Sequence, residues 1–211
     1  MKKSITVEFW DKIYLLLSYL SIFKILTLVI KNKNSDWWYR FVDIWVLSNL
    51  FLSLASIFFI CYINFSPINH LLVCYGFLRV FEIVVYQINV LLFDEYRAQK
   101  KGVAFKIRGF RRMILNLFNN FGEIIFWFAA SYAIFTGALS NTEMTIGRLL
   151  FNSFCVMTTF GMPNLVILTE AGLYILWFQC IAGLLMTLLS ISKFIGMMPN
   201  VASLGEFENE H

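Results

Sequence analysis

The chain has 211 residues, of which 59% are hydrophobic, 18% aromatic and 14% charged, and its formal net charge is +4. A charged fraction this far below the roughly 25% of soluble domains excludes a soluble globular class. The length leaves room for about four or five spanning helices of about 20 residues, joined by short loops. We therefore expect one all-α integral membrane domain in contact with lipids.

The N-terminal region, residues 1–43, contains an apolar stretch at 13–30 that is interrupted by Lys24. Polar residues recur there at steps of three or four, which predicts one polar face on a helix. This pattern favours an amphipathic helix on the cytoplasmic interface, and a fifth span is the alternative. The residues of the stripe are Ser18, Ser21, Lys24, Thr27 and Lys31.

Two peripheral spans are predicted within residues 44–93, at 44–63 and 71–93. The first carries no charge and follows the aromatic and basic sequence DWWYRF, which is typical of a membrane interface. The connection at 94–112 holds seven Lys or Arg residues, so the positive-inside rule places it in the cytoplasm together with both termini. Basic residues gathered between apolar runs indicate membrane orientation, and we expect no direct binding of nucleic acid.

Residues 113–198 form a second unit, with spans predicted at 113–135 and 171–198 and a short tail at 199–211. Between the spans lies an apolar run at 145–160, which is too short to cross the membrane twice. The sequence SNTE at 140–143 fits a helix capping box ahead of that run. A re-entrant helix that enters the membrane and returns through TTFGMPN, residues 158–164, is the predicted structure, and an ordinary re-entrant turn is the alternative.

TTFGMPN followed by LVILTEAGL resembles the signature of the potassium-channel pore family, whose filter reads TTVGYGD. The resemblance covers 113–198 and implies an outer helix, a pore helix, a filter and an inner helix in a tetramer that passes monovalent cations. It departs from the family at Met162 and Pro163, because proline fixes φ near about −65° where the family has glycine. The filter positions are Thr158, Thr159, Phe160, Gly161, Met162 and Pro163.

The inner helix is expected to start near Thr169 and Gly172, and Gly183 falls where the family has a hinge glycine. A stripe of polar or small residues then faces either a water-filled cavity or neighbouring helices against which it packs. Glu170 lies near the expected outer mouth or on the solvated surface. The residues of the stripe are Gln179, Gly183, Thr187 and Ser190.

Arg79, Glu82 and Glu123 are charged residues deep inside predicted spans. Arg79 and Glu82 are three residues apart, so they share a helix face and are predicted to pair. Glu123 is predicted to pair with Arg148 or Arg79, or to face a cavity. Charges at this depth indicate either a functional site or a structural link between helices.

The sequence favours a weakly selective cation pore or a membrane sensor and scaffold, with an ordinary gated potassium or cation channel and a non-conducting scaffold as alternatives. No catalytic constellation, cofactor motif or metal-ligand spacing is present, so we expect no enzyme. In overall plan the chain is similar to the KwaA family, the membrane component of the bacterial Kiwa anti-phage system, which implies a bacterial inner membrane. A cytosolic protein partner is then expected at Arg108, Arg111 and Arg112.

Overall fold

In a computed structural model, the described residues are 5–24, 36–63, 66–103, 109–139, 144–162 and 164–196. All the regular elements among them are helical, as the apolar composition predicts. They are α1 (Ile5–Ser18), α2 (Asp36–Tyr62), α3 (Ser66–Ile88), a π-helical turn (Asn89–Phe93), α4 (Asp94–Lys100), α5 (Phe110–Ile134), α6 (Thr136–Leu139), α7 (Ile146–Met157) and α8 (Glu170–Gly196).

Four helical segments of the described chain are long and apolar enough to cross a membrane, so this is a multi-pass membrane protein. Each overlaps one of the four predicted spans, and the expectation of four is confirmed. The structure extends the second well beyond its predicted end, because α3, the π-helical turn and α4 run on without a break. The segments are Arg40–Tyr62, Ser66–Lys100, Arg111–Ile134 and Glu170–Gly196.

The predicted N-terminal helix at 13–30 is not continuous, and its part at 25–30 lies outside the described residues. Helix α1 begins at Ile5 and ends at Ser18, and the chain then turns before a short helical piece at 22–24. The turn brings Ser21 and the backbone N–H of Phe23 to the carboxylate of Glu82, so the polar stripe does not continue on one helix. A buried carboxylate needs donors, and these bonds stabilise a turn where side-chain periodicity alone predicts a straight helix.

Helix α5 lies at the centre of the bundle and contacts α2, α3, α7 and α8. Its residues Trp127, Phe128 and Tyr132 are each 1% exposed. The ring of Trp127 packs edge-on against Tyr75 of α3 at 5.6 Å, and Phe178 of α8 lies 5.8 Å from Phe128. Aromatic packing on one central helix therefore holds the second span, α3, against the C-terminal unit.

Candidate functional site

A buried cluster of charges joins α3 to α5. The guanidinium group of Arg79 donates from Nε and Nη2 to the two carboxylate oxygens of Glu123, at 2.9 and 3.0 Å, and from Nη1 to Glu82 at 2.6 Å. All three residues are at most 5% exposed. The Arg79–Glu82 pair predicted from the spacing is present. Of the two cationic partners considered for Glu123, the structure selects Arg79, since Arg148 is exposed on α7.

Neighbouring side chains complete the hydrogen bonds of this cluster. Trp127 donates its indole N–H to Glu123 at 3.2 Å, and Trp45 stacks its ring 5.7 Å from the guanidinium carbon of Arg79. Glu82 accepts from the hydroxyl of Ser21 and, at 2.6 Å, from the N–H of Phe23. The bidentate contact and these extra donors are what a buried ion pair requires to be stable.

A cavity of about 90 Å³ adjoins the charge cluster, between α2, α3, α5 and the turn after α1. Arg79 and Glu82 both line it. Two amide side chains in its wall, Gln87 and Asn120, are 6% and 4% exposed and have no side-chain hydrogen bond within the described chain. Besides Arg79 and Glu82, the polar residues of the lining are Ser21, Trp45, Tyr86, Gln87, Asn116 and Asn120.

A second ion cluster, which was not predicted from the sequence, attaches α1 to the far end of the second span. Arg97 donates to the carboxylate of Asp11 at 2.6 Å and to the amide oxygen of Asn89 at 2.7 Å. Asn89 in turn donates to the carbonyl of Tyr14 at 3.2 Å. Asp11 and Arg97 are 86 residues apart, and sequence spacing gives no signal for such a pair.

Helix α7 ends in a Schellman motif at the first residues of TTFGMPN. The N–H of Phe160 donates to the carbonyl of Cys155 at 2.9 Å, and that of Thr159 donates to Val156 at 3.3 Å. The motif places its C′ residue, which precedes the donor of the longer bond, in the left-handed region, and here Thr159 occupies that position at φ 63°. Gly161 follows at φ +109°. The chain therefore reverses sharply through residues 158–161 and does not continue the helix.

The side chains after α7 point away from the bundle. Phe160 is 82% exposed and Met162 45% exposed, and with Phe151, Phe154 and Cys155 they line an apolar groove. The chain then returns along α6, where the N–H groups of Val166 and Leu168 donate to the carbonyls of Leu139 and Ala138, at 2.9 and 3.0 Å. Helix α8 starts at Glu170, at the inner-helix start expected near Thr169.

Gln179 and Gly183 do not face a water-filled cavity, which was one of the two expectations for their stripe. Both residues are instead buried against other helices of the same chain. Gln179 is fully buried, accepts from the hydroxyl of Tyr132 and donates to the carbonyl of Ser153 at 2.8 Å. A methyl group on Gly183 would lie 2.7 Å from the carbonyl oxygen of Met157. Both residues therefore pack α8 against α5 or α7. Farther along α8, Thr187 and Ser190 are partly exposed, and Ser190 bonds to the carbonyl of Met186.

The residues of the expected partner loop differ in their surroundings. Arg111 is exposed, whereas Arg112 is paired with Asp43 at 2.8 Å. Glu170 is exposed, as expected for a residue outside the bundle.

Several predicted features lie outside the described residues: Pro163, Arg108, Thr27, Lys31, the capping sequence at 140–143 and the tail at 199–211.

No protein-family model, curated protein or solved structure matches the chain. Its functional interpretation therefore depends on the charge cluster, the cavity and the segment that follows α7.

Proposed function

We propose that the chain is a tetrameric, channel-like membrane protein whose residues 145–162 surround a weakly selective cation pore. The observation that carries the proposal is the set of backbone carbonyls after α7. Those of Thr158, Thr159, Phe160 and Gly161 accept no hydrogen bond from the described chain. Carbonyl groups at membrane depth need a partner, and in ion filters that partner is a dehydrated cation.

The position of α7 supports the same proposal. Its 12 residues span about 18 Å, which is roughly half the thickness of a bilayer with its headgroups. The helix packs on α5 and α8, and its C-terminal end carries the partial negative charge of the helix dipole. In a tetramer with residues 158–162 at the axis, four such ends would lower the energy of a cation between them.

The side chains of the segment after α7 support a pore that selects weakly among cations. Phe160 and Met162 are the exposed apolar groups next to the free carbonyls, and Pro163 follows them in the sequence. Proline cannot take the positive φ that lets glycine turn successive carbonyls to one side. The pore would therefore have few coordinating layers and an apolar constriction that opens and closes by wetting.

The test is cation flux into vesicles that contain the purified protein, with Gly161→Ala compared with Gly147→Ala. An added methyl group meets nothing within 4 Å at either glycine, but only Gly161 has a positive φ. We expect Gly161→Ala to change potassium and sodium flux at least about tenfold, because a strained residue rearranges the carbonyls. Gly147→Ala should keep the wild-type flux. Equal flux for both variants, or a particle that is not tetrameric, would contradict the proposal.

A non-conducting scaffold is the second candidate, and the exposed Phe160 favours it because a large apolar side chain can close the pore. Wild-type tetramers without measurable flux would select this alternative. The resemblance in plan to KwaA then supports a cytosolic partner that binds the basic segment at Arg111. Co-purification of that partner should be lost in Arg111→Ala and kept in Arg148→Ala, which removes an exposed arginine from α7.

A further inference from the structure

Within the part of the chain that the structure describes, the ion pairs of the buried cluster join one cation to two anions. One guanidinium, that of Arg79, faces two carboxylates, those of Glu82 and Glu123. Lys24 follows on the N-terminal segment, where it lies over the ring of Tyr19 at 5.8 Å and interacts electrostatically with Asp94. A net negative charge in a membrane interior is costly unless a proton or a cation compensates for it.

The cavity beside Glu82 has the composition of a small polar site. Gln87 and Asn120 are more than nine-tenths buried, line this cavity and lack hydrogen-bond partners within the described chain. The indole N–H of Trp45, another lining residue, is buried and has no hydrogen-bond partner among the described residues. Buried amides are normally satisfied, so two that border the same cavity indicate an occupant that bonds to them.

We propose that this cavity binds a monovalent cation, held by the carboxylate of Glu82 and the amide oxygens of Gln87 and Asn120. A volume of about 90 Å³ has room for an ion with one or two waters, and such a water could accept the Trp45 N–H. One carboxylate and two amide oxygens suit a monovalent ion, because calcium sites use more carboxylates. The site lies on α2, α3 and α5, so it does not depend on the proposed pore.

Cation binding is linked to the N-terminal segment. Ser21 and Phe23 both line the cavity, and both donate to the same oxygen of Glu82. A cation at Glu82 would hold in place the carboxylate that these two donors share, as second-shell contacts do at metal sites. Removal of the cation should therefore loosen residues 21–24 as well as lower the melting temperature.

The experiment uses the full-length protein in detergent micelles at constant pH and ionic strength. Sodium or potassium chloride is exchanged stepwise for N-methylglucamine chloride, whose cation is too large for the cavity. We expect one of the two small cations to raise the melting temperature in a saturable way, by about 3–6 °C at ten times its Kd. Hydrogen exchange of the backbone at residues 21–24 should slow over the same concentration range.

Three variants test whether the cation that raises the melting temperature binds in this cavity. Gln87→Leu and Asn120→Leu remove amide oxygens without touching the ion pairs, and each should weaken the apparent affinity for the cation at least about tenfold. Gln99→Leu, which changes an exposed amide on α4, should respond like the wild type. Either leucine variant that folds is sufficient for the comparison. A melting temperature that is the same in all three salts, or a response that persists in the leucine variants, would overturn the proposal.

Discussion

At the scale of single residues, Thr158 and Thr159 end α7 in opposite backbone conformations. Thr158 has φ −92° and donates its hydroxyl to the carbonyl of Phe154 at 2.8 Å. Thr159 has φ 63°, a region that a β-branched residue rarely occupies. The sequence TT gives no sign of this difference, because it follows from the requirement of the Schellman motif for one left-handed residue.

Glycine at these two positions should therefore have opposite effects on stability. We expect Thr159→Gly to raise the free energy of unfolding by about 0.5–1 kcal/mol, because glycine removes the left-handed strain but is more flexible when unfolded. Thr158→Gly should lower the free energy of unfolding by about 1 kcal/mol, since this variant loses the hydrogen bond from the threonine hydroxyl to the Phe154 carbonyl. Unfolding of both variants in mixed micelles measures the effect, and a loss of equal size in both would contradict the left-handed assignment.

The buried charges show which contacts a sequence can reveal. The pairing of Arg79 with Glu82 follows from a three-residue step on one helix, and it could be predicted. The pairing of Arg79 with Glu123 was one of the alternatives left open, because a buried carboxylate needs a cation but the sequence does not say which helices meet. The bonds from Ser21 and Phe23 to Glu82 were missed, since they depend on a turn in a segment whose periodicity predicts a helix.

At the scale of helices, a polar periodicity identifies a face but not its neighbour. The stripe that begins at Gln179 and Gly183 is real, yet the structure turns this part of it toward α5 and α7. Small residues in membrane helices often serve this purpose, because they let backbones approach closely. The exposed face of α8 is instead apolar and includes Tyr174, Trp177 and Ile181, which suits contact with lipid or a second copy.

Close packing at Gly183 yields a prediction for this pair of helices. A methyl group there would sit 2.7 Å from the Met157 carbonyl, which is backbone and cannot move aside cheaply. Gly183→Ala should lower the free energy of unfolding by about 1–3 kcal/mol through overpacking. Thermal unfolding in micelles measures it.

Gly147→Ala is the matched control on α7, because its added methyl group meets nothing within 4 Å. Replacing glycine by alanine at a helical position with free space around it should leave the free energy of unfolding unchanged or raise it by up to about 1 kcal/mol. Unchanged stability in Gly183→Ala would mean that α8 does not lie this close to the end of α7.

At the scale of the whole molecule, the four spans were the most predictable feature. Continuous apolar runs of about 20 residues have few alternatives to crossing a bilayer. Their ends were less predictable, as the second span shows. It continues from Ser66 to Lys100 through the π-helical turn, although the sequence beyond Phe93 is charged. Contacts with α1 explain the extension, since Asp11 and Glu8 pair with Arg97 and Lys100 on that added turn.

The length of this segment makes the direction of crossing testable. Its 35 residues span about 52 Å, so both ends clear a hydrocarbon core of about 30 Å. In a cysteine-free background, Ser66→Cys should react with an impermeant maleimide added outside intact cells. Val103→Cys should react only after the membrane is opened, because the positive-inside rule predicts a cytoplasmic location for the basic segment at 94–112. Both positions are exposed in the structure.

Val73→Cys is the control for this experiment, because Val73 is 3% exposed within the bundle and should react from neither side. Reaction of Ser66→Cys and Val103→Cys from the same side would show that the segment does not cross. Reaction in the reverse order would preserve the four spans but invert the molecule. The basic residues would then lie outside, and a cytosolic partner could not reach Arg111, so only the pore form of the proposed function would stand.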